Sequence, residues 1–448
     1  MKLHNRPRAS LLGAVLVLAA SPSLAATGDL PDLGHGVTVS RLASGGTAIV
    51  RPSQGAPVAA IELWYRAPST GFGAKAQPAL ARVAAQVVAA SKPIVGDSLG
   101  KAVSDVGGRL AISVYSDSIE VSAVVPTQSA RSIVKTMTTA FFAPVATQDG
   151  YQYAQRDVRQ EALFSTIDLE TVARNAVFAQ LFTGGPQHYP TVGDPKDVTG
   201  ISLDDVKSFA TRAFRSQNAT LVVSGAVDPT VVSAAVPGRS DPAGATPEAP
   251  TSGVLASGAP PTHKTFPQPS AGYGWIGPAI ASEREATAMD FVADYLFRPD
   301  TGAVSKRVGE RYPDAVLVGQ FITLHDPGVM FVVYGGKDLD GVKAAVDDGL
   351  TAVRQPLGGP AFAAALQGFE YHLLSDLQTP VQLADNFGWY SVEGNAAYAP
   401  GVNGEHGAYF AAAHSLTPAF VASVARKYLT KTPAVVNFAP EKKDKAAQ

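Results

Sequence analysis

Hydrophobic and polar residues alternate over residues 36–69, and Gly and Pro divide this stretch into three segments typical of β-strands. A second alternating stretch, 109–126, predicts a hairpin that turns near Ser116 and Asp117. Between them, residues 74–93 predict a helix, because apolar residues recur at helical spacing. The positions of that apolar stripe are Leu80, Val83, Ala84, Val87 and Val88.

The second half of the chain repeats this plan. Residues 315–336 predict another hairpin, and helical patterns follow it up to residue 428. The two halves also end alike: "SLDDVKSFATRAFRSQNATLVV" near residue 202 parallels "SLTPAFVASVARKYLTKTPAVV" near residue 415. This similarity indicates an internal duplication of roughly 200-residue units. We therefore expect an α/β (α+β) fold with two similar halves, each a largely antiparallel sheet covered by helices.

A change in composition separates the halves. Residues 231–268 are rich in Pro, Gly, Ala and Ser, and they predict an extended linker. The expected halves are therefore residues 35–230 and 269–440, and a polar tail follows at 441–448. The Gly-rich, aromatic stretch 393–410 reads either as a mobile loop that faces a substrate or as a long connection.

Composition narrows the class of protein. The chain has 448 residues, of which 46% are hydrophobic and 17% charged, which favours a large buried core over disorder. The formal net charge of -2 and the lack of a dense basic patch argue against nucleic-acid binding. The chain has no cysteine, which excludes disulfides, thiol nucleophiles and Cys-ligated zinc.

The first 25 residues have the pattern of a secretory signal. Lys2, Arg6 and Arg8 precede the apolar run "LLGAVLVLAA", and small residues end at a predicted cleavage site near Ala25. The alternative is an uncleaved N-terminal anchor, although the apolar run is short for a membrane span. We expect the mature chain to be periplasmic or secreted, without a membrane association.

Several stretches resemble the M16 family of metallopeptidases, the insulinase or pitrilysin-like proteins, and most closely the mitochondrial-processing-peptidase type. They are "IELWYRAPS", "VGGRLAISVYSDSIEVSAVVP" and residues 175–228. The last stretch follows the family's long pattern from a His-Pro-Tyr-like loop to a Val-Val-x-Gly strand. The resemblance covers essentially residues 35–440, and it implies two M16-type halves.

Active members of this family bind zinc through H-x-x-E-H in the first long helix. The resemblance places Ala81, Ala84 and Ala85 at those three positions, and no His occurs anywhere in residues 36–187. Zinc is therefore not expected in this chain. The family's more distal Glu falls on Glu161, which is either a surviving metal ligand or a structural carboxylate that is paired with a nearby Arg or simply solvated. One carboxylate does not suffice for a catalytic zinc site, which has three protein ligands.

The resemblance also implies substrate-binding positions. The family's Arg and Tyr, seven residues apart in the second half, align with Gly309 and Val316, while Arg311 and Tyr312 lie nearby but out of register. Family members bind the substrate as an added strand at a sheet edge. The expected edge strand contains Leu110, Ala111, Ile112, Ser113 and Val114.

Three functional hypotheses follow. The first is a catalytically inactive subunit that pairs with an active, zinc-bearing M16 peptidase and encloses extended peptides. The second is a stand-alone periplasmic protein that binds peptides or acts as a scaffold. The third is an active zinc metalloendopeptidase with a relocated site, for which the sequence offers no ligand set.

Overall fold

A computed structural model describes the chain over residues 33–34, 36–43, 45–53, 57–93, 96–236, 253–255, 260–403 and 406–440. The predicted signal at 1–25 and the polar tail at 441–448 lie outside the described residues.

The described strands form two large sheets and one small one. The strands are β1 Thr38–Arg41, β2 Thr47–Pro52, β3 Val58–Arg66, β4 Arg109–Val114, β5 Ser118–Pro126, β6 Phe182–Gly184, β7 Ala219–Gly225, β8 Val254–Leu255, β9 Thr262–Thr265, β10 Ser270–Ile276, β11 Val316–Ile322, β12 Val329–Gly335 and β13 Ala434–Ala439. The first sheet has the order β1-β2-β7-β3-β5-β4, and the second has the order β11-β12-β10-β13-β9. Each is antiparallel except for one parallel pair, β2–β7 in the first and β13–β9 in the second.

Helices cover both faces of these sheets. The described helices are α1 Leu80–Ala90, α2 Leu99–Asp105, α3 Ala130–Phe142, α4 Gln148–Phe164, α5 Leu169–Leu181, α6 Pro195–Gly200, α7 Leu203–Ala213, α8 Pro229–Ala235, α9 Glu283–Phe297, α10 Ala303–Arg311, α11 Leu339–Ala352, α12 Gly359–Ser375, α13 Pro380–Glu393, α14 Ala408–His414 and α15 Pro418–Leu429. The predicted fold class of two similar α/β halves, each with a largely antiparallel sheet, is confirmed.

Local sequence explains several helix starts. Ser202 and Asp205 form a reciprocal capping box at α7, and Thr379 and Gln382 form another at α13. These pairs satisfy backbone N–H groups that a helix start otherwise leaves without partners. By contrast, α1 begins after Ala79, whose φ is 68° and whose side chain cannot cap the helix.

Each half contributes one helix to the sheet of the other half. The helix α5 packs on β10, β12 and β13, and α13 packs on β3 and β7. One core cluster accordingly joins Ala60 and Trp64 of the first sheet to Phe387 of α13. The two halves are therefore held together by an exchange of helices.

The stretch predicted as an extended linker contains some regular structure. The end of α8 occupies its first residues, and β8 and β9 occupy residues 254–255 and 262–265, with β9 paired to β13. Local composition does not reveal these strands because their pairing partners lie far away in sequence. Residues 237–252 and 256–259 lie outside the described part of the chain, and the domain boundaries stay a prediction.

Among the described residues, no single helix is long and apolar enough to span a membrane. The pair α14 and α15 meets the length and composition criteria jointly, with a bend of 100° between the two helices.

Candidate functional site

The helix α1 presents its alanine face to the protein interior. Ala81, Ala84 and Ala85 are all 0% exposed and belong to the core of the N-terminal half. The helix packs against α4 and α7, and it also contacts β4. Alanine suits this position because it forms helix readily and buries no polar group. The side chains at these three positions therefore offer no metal ligand.

An ion pair joins α1 to α4 beside the alanine face. The Nη2 atom of Arg82 lies 2.7 Å from Oε2 of Glu161, and Nη1 of Arg82 donates a hydrogen bond to Gln86. Arg82 is nearly buried, whereas the Glu161 side chain is 40% exposed. Glu161 is thus paired with an arginine, and its role as a metal ligand stays a prediction.

The unequal burial of this pair leads to a prediction. Glu161→Gln leaves the guanidinium of Arg82 nearly buried without a counter-charge, and we expect it to cost about 1–3 kcal/mol of unfolding free energy. Arg82→Met leaves the half-exposed carboxylate of Glu161 to solvent and should cost less. Urea denaturation of both variants checks the order. Asp347→Asn is the control, because it breaks the exposed Lys343–Asp347 pair and should cost about 0.5 kcal/mol or less. A larger loss in Arg82→Met than in Glu161→Gln would contradict this account.

The predicted substrate strand lies at a sheet edge. The strand β4 is the last strand of the first sheet, and among the described strands it pairs with β5 alone. Its predicted contact residues are half-buried or exposed, with Ala111 exposed and Leu110, Ile112, Ser113 and Val114 half-buried. An edge strand of this kind offers unpaired backbone groups to an additional strand. Substrate binding at β4 stays a prediction.

The predicted residues Arg311 and Tyr312 lie at the end of α10. Arg311 is exposed, and Tyr312 is half-buried against the core of the C-terminal half. The aligned positions, Gly309 and Val316, carry neither side chain of the family pair. A role of Arg311 and Tyr312 in substrate binding stays a prediction.

A cavity of about 750 Å³ lies between the halves, lined by α9, β11, α12, α13 and by Tyr115 of the first half. Its carboxylates are Glu170, Asp290, Asp294, Asp376 and Asp385. Most of them have partners in the structure. Arg298 pairs with Asp376, and His372 hydrogen-bonds Asp294. The cavity wall is therefore acidic, and Arg298 balances only part of its charge.

Asp290 illustrates what burial does to a carboxyl in this wall. The pKa of Asp290 is raised to about 7, mainly by burial and to a smaller extent by the nearby Asp294. The hydroxyl of Tyr409 donates a 2.7 Å hydrogen bond to Oδ2 of Asp290, which opposes this shift. Asp290 therefore changes charge near neutral pH.

Three carboxylates meet where α13 crosses the first sheet. Oxygen atoms of Glu62 on β3, Glu120 on β5 and Asp385 on α13 lie within 4.8 Å of one another. Trp64 Nε1 donates a 2.8 Å hydrogen bond to Oε2 of Glu62. Burial and the neighbouring carboxylates raise the pKa of Glu62 well above its usual value and that of Glu120 to about 7. The group contains no histidine and does not reproduce the zinc ligand set of M16 peptidases.

Sequence reasoning missed this carboxylate group. The available signal was a single acidic residue inside each of two apolar strands, "VAAIELWYR" and "SIEVSAVVP". A lone carboxylate in a buried strand is unusual because charge burial is costly. The position of Asp385, on a helix of the other half, was not visible in either strand.

Comparisons with solved structures show which proteins have a similar fold. No family model matches the chain, and no curated protein sequence matches it. A putative M16-like peptidase from Alicyclobacillus acidocaldarius has a similar structure, with a TM-score of 0.74 and 17% sequence identity, over 90% of this chain and 98% of that one. The chain has the fold of M16 peptidases.

Two further structures agree with this M16-type fold. A protease from Helicobacter pylori matches with a TM-score of 0.73 and 15% identity, over 90% of this chain and 99% of that one. The peptidase M16 inactive domain from Pseudomonas fluorescens matches with a TM-score of 0.72 and 15% identity, over 92% of this chain and 100% of that domain. The predicted resemblance to M16 proteins is thus confirmed at the level of the fold.

Proposed function

We propose that this chain is a catalytically inactive M16-type subunit that pairs with a zinc-bearing M16 peptidase in the periplasm. The observation that carries this proposal is the alanine face of α1. Ala81, Ala84 and Ala85 stand where the family's ligands and general base are expected, and all three are fully buried. A catalytic zinc site needs three protein ligands and an open position for water, and these residues provide neither.

The neighbouring ion pair supports the same proposal. The Glu161 carboxylate, at the position of the distal family ligand, lies 2.7 Å from a guanidinium nitrogen of Arg82. A positive charge beside the site opposes the binding of a divalent cation. One of the similar structures is itself described as an inactive M16 domain, so the M16 fold exists in a chain described as inactive.

A subunit without a zinc site can still contribute a surface that binds peptide. An extended peptide can add to the free edge of β4 through backbone hydrogen bonds, which do not require a metal. In the proposed assembly, this chain supplies one wall of a peptide-degrading chamber and the active partner supplies the zinc.

Purification of the native complex tests this proposal. The tagged chain is isolated from its own periplasm, and its mass is measured by light scattering while peptide mass fingerprinting identifies what accompanies it. We expect a second M16-type chain in equimolar amount and less than stoichiometric zinc in the separated tagged chain. A lone monomer or homodimer would contradict the pairing. Stoichiometric zinc together with peptide cleavage by the isolated chain would instead indicate an active peptidase with a relocated site.

A second candidate is a stand-alone periplasmic protein that binds peptides without cutting them. The observation that favours it is the combination of the β4 edge with an acidic cavity in a single chain. The isolated chain would then bind extended peptides without a partner, which fluorescence anisotropy of a labelled peptide measures directly.

A further inference from the structure

The carboxylate group at the junction connects the two halves of the molecule. Glu62 and Glu120 belong to the first sheet, and Asp385 belongs to α13, which the C-terminal half lays across that sheet. Glu62 and Glu120 are 0% and 6% exposed. Asp385 is exposed and lines the cavity, and none of the hydrogen bonds or salt bridges among the described residues involves it. At this point, therefore, the two halves meet through carboxyl groups: Glu62 and Glu120 from the first half and Asp385 from the second.

Among the described residues, no cation compensates the charge of this carboxylate group. The groups that act on the pKa values of the three carboxyls are the carboxyls themselves, Trp64, Ser113 and Ser122, and none is a lysine, arginine or histidine of the described chain. Tyr115 also faces the group, and burial and Glu120 raise the pKa of its hydroxyl, so it stays neutral. Three ionised carboxylates within 4.8 Å would repel one another strongly in this partly buried place.

The other end of α13 differs in its charge balance. There Glu393 lies beside Asp117 of the first half, and Arg66 lies close enough to lower the pKa values of both carboxyls. The backbone N–H of His325 also donates a 3.1 Å hydrogen bond to Oε2 of Glu393. The positive charge of Arg66 therefore opposes repulsion at that end, whereas no cation of the described residues acts on the carboxyls at the Asp385 end.

We propose that Glu62, Glu120 and Asp385 form a proton-held contact between the two halves, closed when the carboxyls retain protons and loosened when all three are ionised. This inference does not depend on the proposed pairing with a peptidase. According to this proposal, the packing of α13 on the first sheet depends on pH.

The direction of the response follows from the raised pKa values. The closed junction binds protons that a solvated, open junction would release, so opening becomes more favourable as pH rises. The response begins above about pH 4.5, the ordinary value for Glu, and extends through about 7, the pKa of Glu120. Each proton released changes the opening equilibrium about tenfold per pH unit within that window.

Hydrogen exchange of the α13 amides in the full chain measures this opening. After correction for the intrinsic pH dependence of exchange, we expect the opening constant of the segment 383–392 to rise about tenfold or more between pH 5.5 and pH 8. In Glu62→Gln and in Asp385→Asn, the rise should shrink by at least a factor of three. Both variants keep side-chain shape, and the Gln carbonyl can still accept the Trp64 hydrogen bond.

Asp290→Asn is the matched control. It removes another carboxyl with a pKa of about 7 from the same cavity, but one whose neighbours belong to the C-terminal half alone. In this variant, the opening constant of α13 from hydrogen exchange should rise with pH as it does in the native chain. An equal response in the native chain and in both junction variants would overturn the proposal. Protection of α13 at pH 8 by millimolar calcium, lost in Glu62→Gln, would also overturn it in favour of a contact held by a bound cation.

Discussion

The triple substitution Ala81→His, Ala84→Glu and Ala85→His, which restores the metallopeptidase motif, should unfold the N-terminal half rather than create a zinc site. All three alanines are 0% exposed in the present structure, so each larger side chain must displace packed neighbours. Overpacking costs about 1–3 kcal/mol at each position, and a buried glutamate without a partner adds to it. The total is on the order of 5 kcal/mol, which is comparable with the whole stability of many domains.

Circular dichroism and urea denaturation measure this loss, and metal analysis with added zinc tests the site. Ala90→Gln is the control on the same helix, because Ala90 is only half-buried and a longer side chain there can reach solvent. The control should remain within about 1 kcal/mol of the native chain. A triple variant that folds with native stability and binds one zinc ion would show that the alanine face of α1 is not sealed, and it would weaken the proposed function.

The fold was largely predictable from the sequence because its elements carry strong local signals. The alternation in "RLAISV" and "SIEVSAVVP" predicted the hairpin of β4 and β5, and the stripe through Leu80 and Val88 predicted α1. The similarity between the ends of the two halves predicted two units of similar fold, and the structure contains two large sheets. Such patterns can be shared by proteins of only 15–17% sequence identity, as with the similar structures above, because they depend on periodicity rather than on particular side chains.

The junction could not be predicted in the same way. The exchange of α5 and α13 between the halves and the meeting of Glu62 with Asp385 depend on packing between distant segments. The Gly-rich stretch 393–410 shows the same limit of local reasoning. It suggested a loop, yet Tyr398 and Tyr409 are buried and their rings pack with Tyr390. The glycines of this stretch indicated turns, but they gave no sign that its tyrosine side chains pack in the core.

The second large effect is expected at Gly388, where α13 approaches the first sheet most closely. A Cβ atom at this position would lie 1.9 Å from Nε1 of Trp64 and 2.4 Å from its Cδ1. Trp64 is fully buried, and its Nε1 donates to Glu62, so the ring has no room to retreat. Gly388→Ala should therefore cost about 3 kcal/mol through overpacking, even though alanine favours the helix by up to about 1 kcal/mol.

Gly368→Ala provides the matched control for this substitution. Gly368 lies within α12, and a Cβ atom there would meet no other atom within 4 Å. The same change of residue should then stabilise the chain by about 0.5–1 kcal/mol, because only the helix preference acts. Thermal denaturation of the two variants should give shifts of opposite sign, and the near-ultraviolet signal of Trp64 should change in Gly388→Ala alone. Equal shifts would mean that α13 can move away from Trp64 at little cost in free energy. In that case, the close packing of α13 on Trp64 would not hold the two halves together.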